Sequence, residues 1–184
     1  MSFDVVCSME VIEHVDNPRT FLANCASLVK VCDPSAPHHP NVFTIPSKQP
    51  GGHLFLSTIA RTPLSYFLTI FAAEQMLRLV TPGTHTFSKY INPDELTGFF
   101  LEADSVPANP ASSGDTATAA SRPSSRPWIS RLYGGAPTRT EAEIRGMVYL
   151  PWKGEWTLVP RGAPGASLWA EACNYLFWVR RPLQ

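Results

Sequence analysis

Apolar positions along the chain fall into short runs divided by proline, glycine and polar turns, and their spacing alternates between strand-like and helix-like. Phe3 to Cys7 is an apolar run suited to a buried strand. Residues 8–30 read as a helical region broken at Asn17 and Pro18, with Pro18 in the first turn of a new helix and Asp16 or Asn17 as its cap. Phe21, Leu22, Cys25, Leu28 and Val29 then recur at the spacing of a core-facing helical stripe. His53–Thr58 reads as a second strand, and Leu64–Val80 as a largely apolar helix with Glu74, Gln75 and Arg78 clustered on one arc. Asn92 opens a further helix, with Pro93 at its first position and Asp94 and Glu95 in its first turn, ending near Ala103. Three late runs, Glu143–Leu150, Trp156–Val159 and Cys173–Val179, are rich in β-branched and aromatic residues. They predict a hairpin that closes the sheet with an antiparallel edge. Strands alternating with helices indicate an α/β fold.

Two stretches interrupt this pattern. Residues 31–49 hold four prolines, which exclude both a helix and a central strand. Deleting them joins a helix end to Pro50, Gly51 and Gly52 and then to the second strand, with a loop of ordinary length. They read as an insertion, in the manner of translated intron sequence. Residues 104–140 are dominated by Ser, Pro, Ala, Thr and Gly, a composition that cannot offset its ordering entropy by burial, so a flexible insertion is expected. The remainder of 1–184 is expected to form one domain.

Composition narrows the function. Fifteen basic and fifteen acidic residues cancel, and no basic stripe stands ready to neutralise phosphates, so nucleic acid is not an expected partner. Four cysteines without C-x-x-C spacing argue against a zinc cluster or a disulfide framework; Cys7 and Cys173 lie in strand-like runs where buried free thiols are common. No secretory signal is visible at the start of the chain. The candidate chemistry sits just after the first strand, where Glu10, Glu13 and His14 follow within one helical turn. If a helix begins there, all three point to one side. Strand ends that open into helices are where open α/β sheets bind ligands. Acids favoured by a helix N-terminus beside a solvated histidine would give the same pattern without any site. His85, among the hydroxyls of Thr81–Thr86, is a second candidate, whereas His38 and His39 read as a solvated pair in a proline-rich loop. Leu64–Val80 is short for a membrane span and carries charge; it is either a packing helix or one lying in a membrane interface.

Phe3–Val6, Met9–Val15, Pro50–Gly52, Leu56–Ile59, Leu64–Tyr66, Glu74–Gln75, Thr81–Thr86 and Tyr90–Leu96 together resemble the ubiquinone biosynthesis O-methyltransferases, a family of class I S-adenosylmethionine-dependent methyltransferases. The resemblance implies the C-terminal part of a Rossmann-like sheet, parallel strands followed by a late antiparallel hairpin, with the N-terminal strands missing. It implies methyl transfer from S-adenosylmethionine to a hydroxyl of a polyprenylated, catechol-type ring. Met9 would contact the cofactor, and Glu10, Glu13 and His14 would ligate a divalent metal, usually described as magnesium, although an imidazole ligand suits zinc or manganese better. His85 would be a base or a substrate contact. The resemblance further implies peripheral membrane contact through 64–80, a quinone-biosynthesis enzyme complex as partner, and the matrix side of the mitochondrial inner membrane as location. The chain departs from the pattern in having no G-x-G-x-G loop and no ribose-binding acid, so on its own it is expected to be an inactive fragment. Another class I methyltransferase with a different acceptor, or a non-catalytic membrane-associated module, are the alternatives.

Overall fold

A computed structural model of the chain describes residues 1–31, 51–76, 78, 81, 83–102 and 126–182. Strand β1 (Val5–Met9) runs parallel to β2 (His53–Ile59), with Val5 opposite His53 and Met9 opposite Ser57. The C-terminal strand β7 (Asn174–Arg180) lies antiparallel on the other side of β2. Then come β5 (Ala142–Leu150) and β6 (Glu155–Leu158), giving the order β1-β2-β7-β5-β6. A parallel pair followed by a C-terminal strand inserted antiparallel is the order expected from the sequence, parallel strands first and an antiparallel edge late. A separate hairpin of β3 (Leu132–Tyr133) and β4 (Ala136–Pro137) precedes β5.

The helices follow local signals. In α1 (Pro18–Leu28) Pro18 occupies the first turn, and the Asn17 side chain accepts from the Thr20 amide at 2.9 Å. In α3 (Pro93–Leu101) Glu95 reaches back to accept from the Asn92 amide at 2.7 Å. The core lies between these helices and the sheet, where Leu22, Ala26, Leu54, Leu56, Phe100 and Phe177 are buried. The Phe100 and Phe177 rings stack with centroids 5.6 Å apart. Gly52 explains the glycine pair before β2: a Cβ there would stand 2.7 Å from the Asp4 carbonyl and 2.9 Å from that of Phe3. The strand thus passes directly against the end of α1, where the Gly52 amide donates to the Lys30 carbonyl and the Lys30 amide to that of Phe3.

Several expectations change. The first strand is not buried: Val5 is 51% exposed and Cys7 is exposed, because among the described residues only β2 pairs with it. Residues 8–17 form no α-helix: Ser8 and Met9 end β1, and beyond them there is a single 3-10 turn at Ile12–His14. The apolar helix is a short α2 (Pro63–Ser65) that widens into a π-helix at Tyr66–Met76. The expected flexible insertion is ordered over 126–140. There Trp128 (4% exposed) and Ile129 (0%) enter the core, and both amides donate to the Phe100 carbonyl. Two buried apolar residues and the bonds of Ser130 and Arg131 to Glu141 tie down a segment whose composition suggests disorder. Residues 104–125 and 32–49, including His38 and His39, lie outside the described residues.

Candidate active site

The C-terminal ends of β1 and β2 and the start of β7 meet at one rim, and the predicted residues gather there. Glu10 is the corner after β1. Its φ of 52° is left-handed, a conformation uncommon for a residue with a side chain. That turn is held by tertiary bonds: the Glu10 amide donates to the Ser57 carbonyl at 3.0 Å and to its Oγ at 3.1 Å. The Glu10 carboxylate accepts from Ser57 Oγ at 2.7 Å and from Asn174 Nδ2 at 3.2 Å. Burial pushes this carboxyl above its ordinary value against the Ser57 hydrogen bond, and the charge of Glu13 adds to the rise.

Glu13 is buried and accepts from Thr58 Oγ1 at 2.8 Å; its other oxygen stands 3.9 Å from His14 Nε2. The His14 ring leans toward that of His85, with centroids 6.2 Å apart. Glu10, Glu13 and His14 therefore come to one rim, but not as one face of a helix, since the left-handed turn at Glu10 precedes the 3-10 turn. In kind they suit a hard divalent cation: two carboxylates, each already oriented by hydroxyl or amide donors. In spacing the cage is not closed. Among the described residues no group of three or more His, Cys, Asp or Glu side chains is placed to hold a metal ion. Met9 is 48% exposed at the end of β1, and beside it Ser8 Oγ is buried without a hydrogen-bond partner, an orphan that suits a polar ligand docked at the strand end.

His85 sits across the rim. Its Nδ1 lies 2.7 Å from Glu74 Oε1, and its own amide donates to the same oxygen at 2.8 Å. Glu74 comes from the π-helix and is 2% exposed; sequence reasoning placed it only on an arc of polar residues. Its signal was present in the charge it carries inside an otherwise apolar helix, since buried charges need partners.

Between the rim and the outer strands lies a cavity of about 620 Å³. Leu64, Leu68, Met147, Trp156 and Trp169 form an apolar wall, while Glu10, His85 and Asn174 make its polar end. Cys173 lies beside that polar end, and burial pushes its thiol above the ordinary range. An elongated apolar molecule with a polar head fits this division. Among the described residues no helix is long and apolar enough to cross a membrane.

The family pattern described as a methyltransferase domain matches residues 1–31. Over 182 residues the chain is 35% identical to the mitochondrial ubiquinone biosynthesis O-methyltransferase of Schizosaccharomyces pombe, covering 99% of this chain and 46% of that protein. It is 40% identical over 107 residues to the protein of that name from Ralstonia nicotianae (58% of this chain, 37% of the relative). It is 41% identical over 98 residues to the mitochondrial one of Dictyostelium discoideum (53% and 25%). The chain spans less than half the length of these relatives.

Proposed function

We propose that the chain carries the acceptor-binding part of an S-adenosylmethionine-dependent O-methyltransferase of ubiquinone biosynthesis, similar as it is to one relative of that name over nearly its whole length and to others over about half of it. The observation that supports this reading best is the cavity, apolar along its length and headed by Glu10, His85 and Asn174. A polyprenylated catechol-type ring has that chemistry. Its hydroxyl would lie at the polar end and its tail along Leu64, Leu68 and the tryptophans. S-adenosylmethionine supplies an electrophilic methyl group on a sulfonium. Met9 and the unpartnered Ser8 hydroxyl would touch the cofactor at the end of β1.

The acceptor oxygen attacks only as its proton leaves. His85 would take that proton, an oxygen lone pair would form the new bond to the donor's methyl carbon, and the carbon–sulfur pair would stay with the donor's sulfur. Catalysis beyond this is mostly the fixing of two reactants in line, which the rim achieves by anchoring Glu10 and Glu13 through Ser57, Thr58 and Asn174. Glu10 and Glu13, with His14 beside them, would also hold a divalent cation, magnesium by resemblance; a bound cation lowers the pKa of a hydroxyl and orients it.

The π-helix contributes a second part of the proposal. Phe67 and Phe71 are 52% and 39% exposed and stack with centroids 5.4 Å apart, while Leu64 and Leu68 of the same segment line the cavity. Such a surface lets the helix rest in a lipid interface and admits a prenyl tail from it. In a cell such a surface would suit a peripheral protein of the mitochondrial inner membrane working beside other quinone-pathway enzymes.

The test is transfer of a labelled methyl from S-adenosylmethionine to catechols with and without a prenyl tail. It uses the S. pombe relative with its matching segment replaced by this chain. The tailed catechol is expected to give a kcat/KM at least about ten-fold higher, equivalent to roughly 1.4 kcal/mol of apolar contact. A folded chimera that transfers nothing, or is indifferent to the tail, overturns the reading.

A further inference from the structure

The residue that the proposed chemistry leaves unexplained is Glu74, a carboxylate buried near the C-terminal end of an apolar π-helix. Long π-helical runs are rare, and π turns sit frequently at functional sites. Three donors converge on this one group. The Gly83 amide donates to Oε2 at 2.7 Å, and the His85 amide and ring reach Oε1 at 2.8 and 2.7 Å. The loop is thus wound around the carboxylate, main chain and ring together. Burial alone would raise the Glu74 carboxyl, but the Gly83 amide and the His85 ring and amide outweigh it and hold the carboxyl below its ordinary value. The group is therefore ionised at neutral pH and can only accept.

An acceptor-only partner fixes the ring opposite. His85 Nδ1 must carry hydrogen, so in the neutral ring Nε2 is the bare nitrogen. A histidine in water prefers the other arrangement, with hydrogen on Nε2. Rotation is also restrained: His85 meets Tyr90 edge-on with centroids 6.3 Å apart, and His14 flanks it. The charge of Glu10 also interacts with this ring. His85 itself lines the cavity at its polar end.

We propose that Glu74 is a positioning residue, which locks His85 as its Nδ1–H tautomer and so leaves Nε2 as the hydrogen-bond acceptor for the hydroxyl of the molecule bound in the cavity. This rests on the proposed function only in naming that molecule an acceptor for methyl transfer; the tautomer itself is a property of the chain.

The test has two arms. The first is long-range proton–nitrogen NMR of the imidazole rings in the wild-type chain at about pH 8, where an ordinary histidine is neutral. The His85 signal is assigned by its loss in His85→Asn. The expected pattern is a protonated Nδ1 and a bare Nε2; hydrogen on Nε2 overturns the proposal and needs no variant to show it. The second arm is Glu74→Gln, which replaces an acceptor-only group by one that can also donate. The Nδ1–H pattern is expected to give way to a mixture or to Nε2–H. In the chimera kcat is expected to fall about 100-fold with KM changed far less, the scale of a lost acid–base contact. An unchanged tautomer, or a loss confined to KM, overturns the proposal. Retention of the Nδ1–H pattern in a chain whose chimera transfers no methyl group would instead count against the methyl-transfer reading alone.

Discussion

Replacing Gly146 by alanine should damage both the fold and the cavity, and the size of the effect follows from one contact. Gly146 lies within β5, and a Cβ built there would stand 2.3 Å from Ala170 Cβ, 2.5 Å from its carbonyl carbon and 2.7 Å from its oxygen. Ordinary contact begins near 3.4 Å, so the two must separate by about 1 Å. Strand β5 is hydrogen-bonded to both β6 and β7 and cannot yield cheaply. The segment that moves must be α4 (Ala166–Trp169) with Ala170, yet it too is tethered, since the Ala60 amide donates to Cys173 and Thr62 Oγ1 to the Ala172 carbonyl. Overpacking of this kind costs about 1–3 kcal/mol. For a chain of this size it lowers Tm by roughly 3–10 °C. Urea unfolding should show a lower midpoint at an unchanged slope. Met147, Trp169 and Ala170 all line the cavity, so affinity for a prenylated catechol should fall as well. Gly98→Ala is the control: nothing lies within 4 Å of a Cβ at Gly98, which sits inside α3, and this change should stabilise by about 0.5–1 kcal/mol through helix propensity. A Gly146→Ala chain as stable as Gly98→Ala would refute the packing argument.

Two further outcomes test the rim and the π-helix. Because burial, with the charge of Glu13, holds the Glu10 carboxyl above its ordinary value, its contribution to stability is fully present below the unfolded carboxyl pKa and is lost as pH rises through the folded value. Glu10→Gln should therefore raise Tm at pH about 7 and lose that gain below about pH 4, while transfer falls; an equal gain at both pH values in thermal melts would contradict this. The double change Phe67→Asp, Phe71→Asp should weaken co-sedimentation with anionic lipid vesicles by at least about ten-fold, since each buried phenylalanine contributes roughly 1.5–3 kcal/mol; equal sedimentation would remove the π-helix as a membrane contact.

What was legible in the sequence was what local chemistry decides. The caps at Asn17 and at Asn92 with Glu95 require only residues three positions apart, and both form as expected. The late strands announced themselves by β-branched and aromatic runs. What could not be read is set by partners far along the chain. Nothing near Glu10 says that it will turn left-handed, because the bonds that hold it come from Ser57 and from Asn174, 164 positions away. Nothing in the spacing of Leu64–Val80 distinguishes an α-helix from a π-helix, and the role of Glu74 appears only when the loop at Gly83 and His85 closes on it. Trp128 and Ile129 were lost in a low-apolar background, although both enter the core and bond to Phe100.

The antiparallel setting of β7 is the step that turns these separate residues into a site. Parallel strands β1 and β2 both deliver their C-terminal ends to the rim, which supplies Glu10 from one and Ser57 and Thr58 from the other. A seventh strand running parallel to them would bring its own end there and leave Asn174 at the far edge of the sheet, about 20 Å away for a strand of this length. Running antiparallel, it pairs Asn174 with Ile59 and Leu176 with Ser57, so its first residue arrives where the others end. Asn174 then supplies the second donor to Glu10, and the chain leading into β7 brings Cys173 and Ala170 to the cavity. The late reversal in the sheet thus completes the polar end of the cavity, adding the Asn174 donor to what the two parallel strands bring.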